Sequence, residues 1–181
     1  MDTNFTSSGP ESPQDGDGRQ AVQGLNQAQL HAWMRFVAVV ELVPGLLDSQ
    51  LQRDSDLSHF EYYVLAMLSE APNRTLRMTG LSSMTNSSLP RLSHVVKRLE
   101  DRGLVKRSPC PTDRRATNAA LTDEGWTAVQ DAAPGHVRTV RENVIDPLTD
   151  EQVAQLDAIS NQLLMKLDPT NRLNPKAPEG V

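Results

Sequence analysis

"RLEDRGLVKRSPCPTDRRATNAALTDEG", Arg98 to Gly125, decides how the rest of the chain is read. Its first six residues end an amphipathic run at Gly103, a residue suited to the left-handed position just past a helix. "LVKRSP" then has the make-up of a strand, "CPTDRR" of a turn and "ATNAAL" of a returning strand. The alternation of apolar and polar residues in this hairpin is weak. Thr122 has the chemistry of a helix N-cap, with Asp123 and Glu124 in the first turn to complement the helix dipole. Arg114 and Arg115 stand side by side behind Asp113 at the turn, where they serve either solubility or a partner.

Upstream of the hairpin, "LPRLSHVVKRLEDRG" reads as a helix capped by Ser88, with Pro90 in the first turn where a missing N–H costs nothing. Leu89, Leu92, Val96 and Leu99 are expected to form its buried stripe, and Arg91, Ser93, His94, Lys97 and Arg98 its opposite face. Before it come a short helix at roughly 77–84, a turn "APNRT", and a helix "SHFEYYVLAMLSEA" capped by Ser58. Phe60, Val64, Leu65 and Leu68 make the inner face of that helix. Earlier still, "NQAQLHAWMRFVAVVELVPGLLDSQLQR" sets Leu30, Trp33, Met34, Val37, Val40, Leu47 and Leu51 near one side, and Pro44 is expected to kink or break it.

Downstream of Thr122 a helix carries Trp126, Val129, Val137, Val140, Val144 and Ile145, with an interruption expected at Pro134-Gly135. The last helix opens with a capping box, Thr149 to Gln152, and carries Val153, Leu156, Ile159, Leu163, Leu164 and Leu167. Its narrow spacing suits helix–helix packing, within the chain or between subunits.

Composition narrows the function. The 181 residues are 38% apolar and 4% aromatic, enough for one ordinary domain with tails. No run approaches 18 consecutive apolar residues, so no membrane span is expected. The N-terminus "MDTNFTSSGPESPQDGDG" lacks the basic start and apolar stretch of a signal peptide, and a cytoplasmic location is expected. The single cysteine, Cys110, allows no intramolecular disulfide and no cysteine-based metal cluster. His31, His59, His94 and His136 lack the spacing of a metal site. There is no phosphate loop, G-x-S-x-G or H-E-x-x-H, so no enzyme, no cofactor and no metal are expected. Net charge is −5, but Arg74 to Arg115 holds ten basic and three acidic residues, a net +7 set against −12 elsewhere. Such a block is either a solvated face or the footprint of an anionic partner, with nucleic acid the first candidate.

The order helix, short helix, turn, helix, strand, turn, strand describes a winged helix-turn-helix: mainly α with a small two- or three-stranded β wing. A helix about 10–12 Å across enters a major groove about 12 Å wide. A hairpin beside it carries arginines to the adjoining minor groove. In that reading Arg115 or Arg114 is the probe at the wing tip, and Asp113 orients it through a charge-assisted hydrogen bond.

The residues "LSHFEYYVLAMLSEAPNRTLRMTGLSSMTNSSLPRLSHVVKRLEDRGLVKRSPCPTDRRATNAALTDEG" resemble the DNA-binding core of the MarR family of bacterial transcriptional regulators, above all in "RLEDRGLVKR" and "DRR…ALTDEG". The resemblance runs from about Ala32 to Leu167. It implies a homodimer, most commonly a repressor, bound to a pseudo-palindromic operator on double-stranded DNA. Residues 1–25, rich in Ser, Gly, Asp, Pro and Gln with no apolar period, read as a disordered tail, and 168–181 as a flexible one. The resemblance implies a dimerisation helix at 26–56, a winged DNA-binding lobe at 57–121 and dimerisation helices at 122–167. Carried across by position, the groove residues are Ser87, Ser88, Pro90, Arg91, Ser93, His94, Lys97 and Arg98, and the wing residues Asp113, Arg114 and Arg115. "TNSS" stands where the family more usually has an apolar residue with glycine, and His94 where an arginine is frequent. The family also implies a cavity for a small aromatic or phenolic effector, for which Trp33, Phe36, Phe60 and Tyr63 are the candidates. Two other readings are a winged helix used for protein contacts and a redox sensor built on Cys110.

Overall fold

The computed structural model describes residues 24–173, so the expectations for the outer parts of both tails lie outside the described residues. Packing divides the chain into two units at Val37/Ala38, a boundary inside the first helix. The core and site lie in the second. The elements are α1 (Gln27–Ser55), α2 (His59–Ser69), a short 3-10 turn (Pro72–Arg74), β1 (Thr75–Arg77), α3 (Met78–Met84), α4 (Leu89–Asp101), β2 (Val105–Cys110), β3 (Asp113–Leu121), α5 (Asp123–Val140) and α6 (Asp150–Leu167). This is a mainly helical chain with a winged helix-turn-helix at its centre.

The caps read from the sequence are formed. Ser58 accepts from the Glu61 N–H while Glu61 reaches back to the Ser58 N–H. Ser88 accepts from the Arg91 N–H, Thr122 from that of Gly125, and Thr149 pairs reciprocally with Gln152. Gly103 takes the left-handed conformation at φ 74°. The turn between α3 and α4 needs the same conformation, and Asn86 supplies it at φ 46°. Asparagine tolerates this backbone far better than most residues, which explains how "TNSS" does without a glycine.

Both prolines sit inside unbroken helices. α1 continues through Pro44 and α5 through Pro134. Each proline removes the hydrogen bond to the carbonyl four residues earlier. Those carbonyls belong to Val40 and Gln130, both exposed residues, so water can satisfy them. The irregularity in this region comes later, as a wider turn at Arg141–Ile145 in which the Asp146 N–H donates to the Arg141 carbonyl at 2.7 Å.

The sheet has three antiparallel strands in the order β1-β3-β2. β2 and β3 form the expected hairpin, Val105 opposite Leu121 and Ser108 opposite Asn118, with an irregularity at Pro109/Cys110. β1 was not read from the sequence as a strand. It pairs with the far edge of β3, Thr75 opposite Ala120, and three residues are too few to display a period.

Leu51, Leu57, Val64, Leu65, Leu68, Leu81, Leu92, Val96, Leu99 and Val105 are fully buried and form one core with Val95, Ala119, Leu121 and Val129. Leu89, expected in the buried stripe of α4, is instead 42% exposed, and Val95 takes its place. α6 buries no residue, and α1 buries only Leu47, Gln50 and Leu51. By length and composition α1 could cross a membrane, with an 18-residue window of mean hydropathy 1.5. Its polar residues interrupt every apolar run, so this hydropathy is not visible as a stretch of consecutive apolar residues.

Gly125 is the tightest joint. A Cβ there would collide with the Leu104 carbonyl oxygen and lie 2.7 Å from Leu121 Cδ1. Gly125→Ala is expected to destabilise the fold by roughly 1–3 kcal/mol, the usual cost of overpacking. Gly80→Ala, which meets open space within α3, is expected to be neutral or to stabilise by up to about 1 kcal/mol. Urea midpoints at unchanged slope measure both.

Candidate nucleic-acid interface

Burial of Leu92, Val95, Val96 and Leu99 turns the opposite side of α4 to solvent. Ser88, Pro90, Arg91, His94, Lys97 and Arg98 are exposed there, and Ser93 is partly so. Ser87 belongs to the preceding turn. Its hydroxyl lies 3.1 Å from that of Thr85, and its carbonyl accepts from the Ser82 hydroxyl at 2.6 Å.

The charges on this face are not all free. Arg98 pairs with the buried Glu61 at 3.0 Å, and Lys97 with Asp101 at 3.1 Å. Arg102 donates to the Asp56 carbonyl at 2.9 Å. Arg107 makes three bonds to Glu100, from its backbone N–H at 2.9 Å and its guanidinium at 2.8 and 2.6 Å. These bonds, the side-chain ones first, hold the Glu100 carboxyl below its ordinary range and tie the end of α4 to β2. The +7 counted along the segment is therefore partly spent internally. Arg91 is different. Among the described residues it pairs with no carboxylate, and its Cζ lies 4.5 Å from the centre of the Phe60 ring.

At the wing, Asp113 holds Arg115 chiefly through the backbone, accepting the Arg115 N–H at 3.1 Å while the guanidinium Nε stays 3.7 Å away. The Arg115 side chain is 95% exposed. The side chain of Arg114 lies outside what the structure describes. A cleft of about 180 Å³ joins wing to helices, lined by Met78, Thr79, Leu89, Ser93, Arg107, Arg115, Ala116 and Thr117. It brings Ser93 of α4 and Arg115 of the wing to one concavity.

Of the four effector-pocket candidates, Phe60 and Tyr63 belong to the second unit and Trp33 and Phe36 to the first. Phe60 carries Arg91, and the Tyr63 hydroxyl donates to the Met84 carbonyl at 3.2 Å. Trp33 and Phe36 are exposed neighbours on α1, their ring centres 6.4 Å apart. A larger hollow of about 740 Å³ lies against Val39, Glu41, Leu42, Val43, Gly45, Leu46, Ser49 and Asn143.

Cys110 is buried at the end of β2, its Sγ 3.3 Å from the Thr112 hydroxyl. Hydrogen bonds from Thr112, with a smaller contribution from the Arg77 charge, pull the thiol down to about 7. Among the described residues no cluster of three or more His, Cys, Asp or Glu is arranged to hold a metal ion.

Sequence spacing concealed one constellation. His59 of α2 and His136 of α5 stack with ring centres 6.2 Å apart, and Tyr62 lies 4.7 Å from His136. The backbone N–H of His59 donates to Asp48 of α1 at 2.8 Å. Among the described residues the buried His136 Nδ1 has no hydrogen-bond partner. Burial lowers both imidazole pKa values, and the neighbouring His59 lowers that of His136 further.

This geometry is that of a known family. The MarR family profile matches residues 55–116. The regulator PecS of Dickeya dadantii is 34% identical over 136 residues, 70% of this chain and 78% of its own. The chain belongs to the MarR family. Members of that family are transcription regulators, not enzymes. The regulator MhqR of Bacillus subtilis is 32% identical over 97 residues, 54% of this chain and 65% of its own length. Among solved structures, Sco3205, a MarR family regulator of Streptomyces coelicolor crystallised in complex with DNA, is 39% identical with a TM-score of 0.79, covering 84% of this chain and 95% of that one.

Both imidazoles bind protons less readily when folded, so the unfolded chain holds more protons between the depressed folded values and the ordinary one near 6.5. Their contribution to stability is therefore complete above the unfolded value and is lost as pH falls through the folded ones. The urea midpoint is expected to drop from about pH 7 to pH 5, and His136→Phe to make that slope shallower. An equal slope in the variant would assign the acid sensitivity to other groups.

Proposed function

We propose that the protein is a homodimeric repressor that grips a pseudo-palindromic DNA site with α4 in successive major grooves and the β2–β3 wing in the flanking minor grooves. The observation that carries this reading is the exposed outer face of α4, from Ser88 to Arg98, beside an almost wholly exposed Arg115. Ser87, Ser88, Ser93, Lys97 and Arg98 suit the sugar–phosphate backbone, with the α4 N-terminus adding its dipole, and Pro90 faces the groove as an apolar contact. Arg91 and His94 suit base edges. Arg115, with Arg114 beside it, suits the narrow minor groove, and Asp113 braces the loop that carries them. The DNA complex of Sco3205, a relative 39% identical over most of this chain, supports the assignment.

The second copy is inferred from unpartnered apolar surface. Leu30, Met34, Val39, Val40 and Leu42 of α1 are exposed, as are Leu156, Ile159, Leu163, Met165 and Leu167 of α6. We assign 26–56 and 122–167 to dimerisation and 57–121 to DNA reading. An aromatic or phenolic effector is assigned to the hollow between Val39 and Asn143, whose volume lies in the usual range for small-molecule sites.

In a gel-shift titration Arg115→Ala is expected to weaken binding to specific and random duplexes alike and to reduce the salt slope by about 1. Unchanged affinity and slope would remove the wing from the interface. Ile159→Glu with Leu163→Glu is expected to give monomers in sedimentation equilibrium and to abolish tight operator binding. A double variant that still sediments as a dimer would move the interface elsewhere.

A further inference from the structure

We propose that Phe60 is a positioning residue for base recognition: its ring holds Arg91 as the reader of one guanine in each half-site. The proposal rests on the DNA-binding reading above and adds a residue outside the reading helix.

Three observations converge on it. The first is the stacking itself, with Arg91 Cζ 4.5 Å from the Phe60 ring centre, well inside the range of a cation–π contact. The second is the standing of Arg91 among its neighbours. Arg98, Lys97, Arg102 and Arg107 are each paired with a carboxylate of this chain. Arg91, among the described residues, is not. A ring face attracts the cation without occupying any of its five N–H donors, so the guanidinium stays charged and its fork stays available. A free guanidinium fork at the N-terminal turn of a major-groove helix matches the O6 and N7 acceptors of guanine, the commonest specific contact in that groove.

The third observation is that Phe60 is itself fixed. It lies in the first turn of α2, packed against the core. Glu61 beside it accepts from both the N–H and the hydroxyl of Ser58 at 2.9 Å, and pairs with Arg98 at 3.0 Å. The start of α2 is thus fastened to α4 at two places, an ion pair at Arg98 and a ring at Arg91. The ion pair fixes the helix, and the ring fixes the reader. An arginine held in this way loses less side-chain freedom when it binds, which raises affinity for the base it fits and leaves contacts to phosphate unchanged.

The test compares Phe60→Leu, Phe60→Trp, Arg91→Ala and the double variant Phe60→Leu/Arg91→Ala on a duplex selected by the wild type and on a random duplex. Side-chain resonances of Arg91 are followed in the free protein. The expected results are ring-current-shifted Arg91 resonances that lose their shift in Phe60→Leu and keep it in Phe60→Trp. Phe60→Leu is expected to weaken selected-site binding roughly two- to tenfold with random binding unchanged, on the order of the cost of immobilising one rotamer-rich side chain. Phe60→Trp restores affinity, and Phe60→Leu adds nothing once Arg91 is alanine. Additive losses, equal losses on both duplexes, or failure of tryptophan to rescue would overturn the assignment of Phe60 while leaving DNA binding standing. A wild type with no affinity for any duplex would overturn the regulator reading, and the guanine assignment with it.

Discussion

The burial of Leu92, Val95, Val96 and Leu99 along one side of α4 is the constraint on which the candidate interface depends. Burying each such side chain contributes about 1.5–3 kcal/mol, whereas an exposed ion pair contributes about 0–1 kcal/mol. The apolar stripe therefore sets the rotation of the helix, and the charges adjust to it. Once the stripe faces inward, Arg91, His94 and Lys97 have nowhere to go but outward. The tie between Glu100 and Arg107 then joins the far end of the helix to the wing.

Much of this was legible in the sequence because it is local. An N-cap is a chemical demand at one position, and Ser58, Ser88, Thr122 and Thr149 all meet it. The stop at Gly103 is equally local. Neither proline ends its helix, because the effect of the lost hydrogen bond depends on whether the orphaned carbonyl can reach water, a question of burial and not of sequence. Leu89 misled for a related reason. It sits at the first position of α4, where the helix rises out of the core, and periodicity does not register where a helix leaves its neighbours. β1 escaped notice because its only support is the edge of β3.

The charges were legible as a sum and illegible as an arrangement. A net +7 along the segment suggests a uniform cationic face. The structure instead divides those cations into struts, such as Arg107 and Arg102, and exposed groups, such as Arg91 and Arg115. The first turn of α2 is where the long-range pairings meet. His59 turns to His136 of α5, Phe60 to Arg91 of α4, and Glu61 to Arg98 of α4. Three consecutive residues thus join the helix that follows the wing to the helix that precedes it, and no pattern confined to one element could reveal that.

The exposed apolar residues of α1 and α6 require a covering. A bilayer would satisfy the length of α1, since about 20 apolar residues span one. It would also enclose Arg35 and Glu41, and a charged residue near the centre of a span costs about 2.5–3.5 kcal/mol. The far end of α1 is committed to protein as well, with Leu47, Gln50 and Leu51 buried and Asp48 accepting from the His59 N–H. The proposed second copy of the chain would remove the same apolar surface from water. It would do so for α6 too, a helix whose exposed leucines and isoleucine have no counterpart in a bilayer-spanning scheme for α1 alone. In the proposed dimer two copies would carry two reading helices, and a groove-reading protein gains specificity from a second half-site without any new kind of contact.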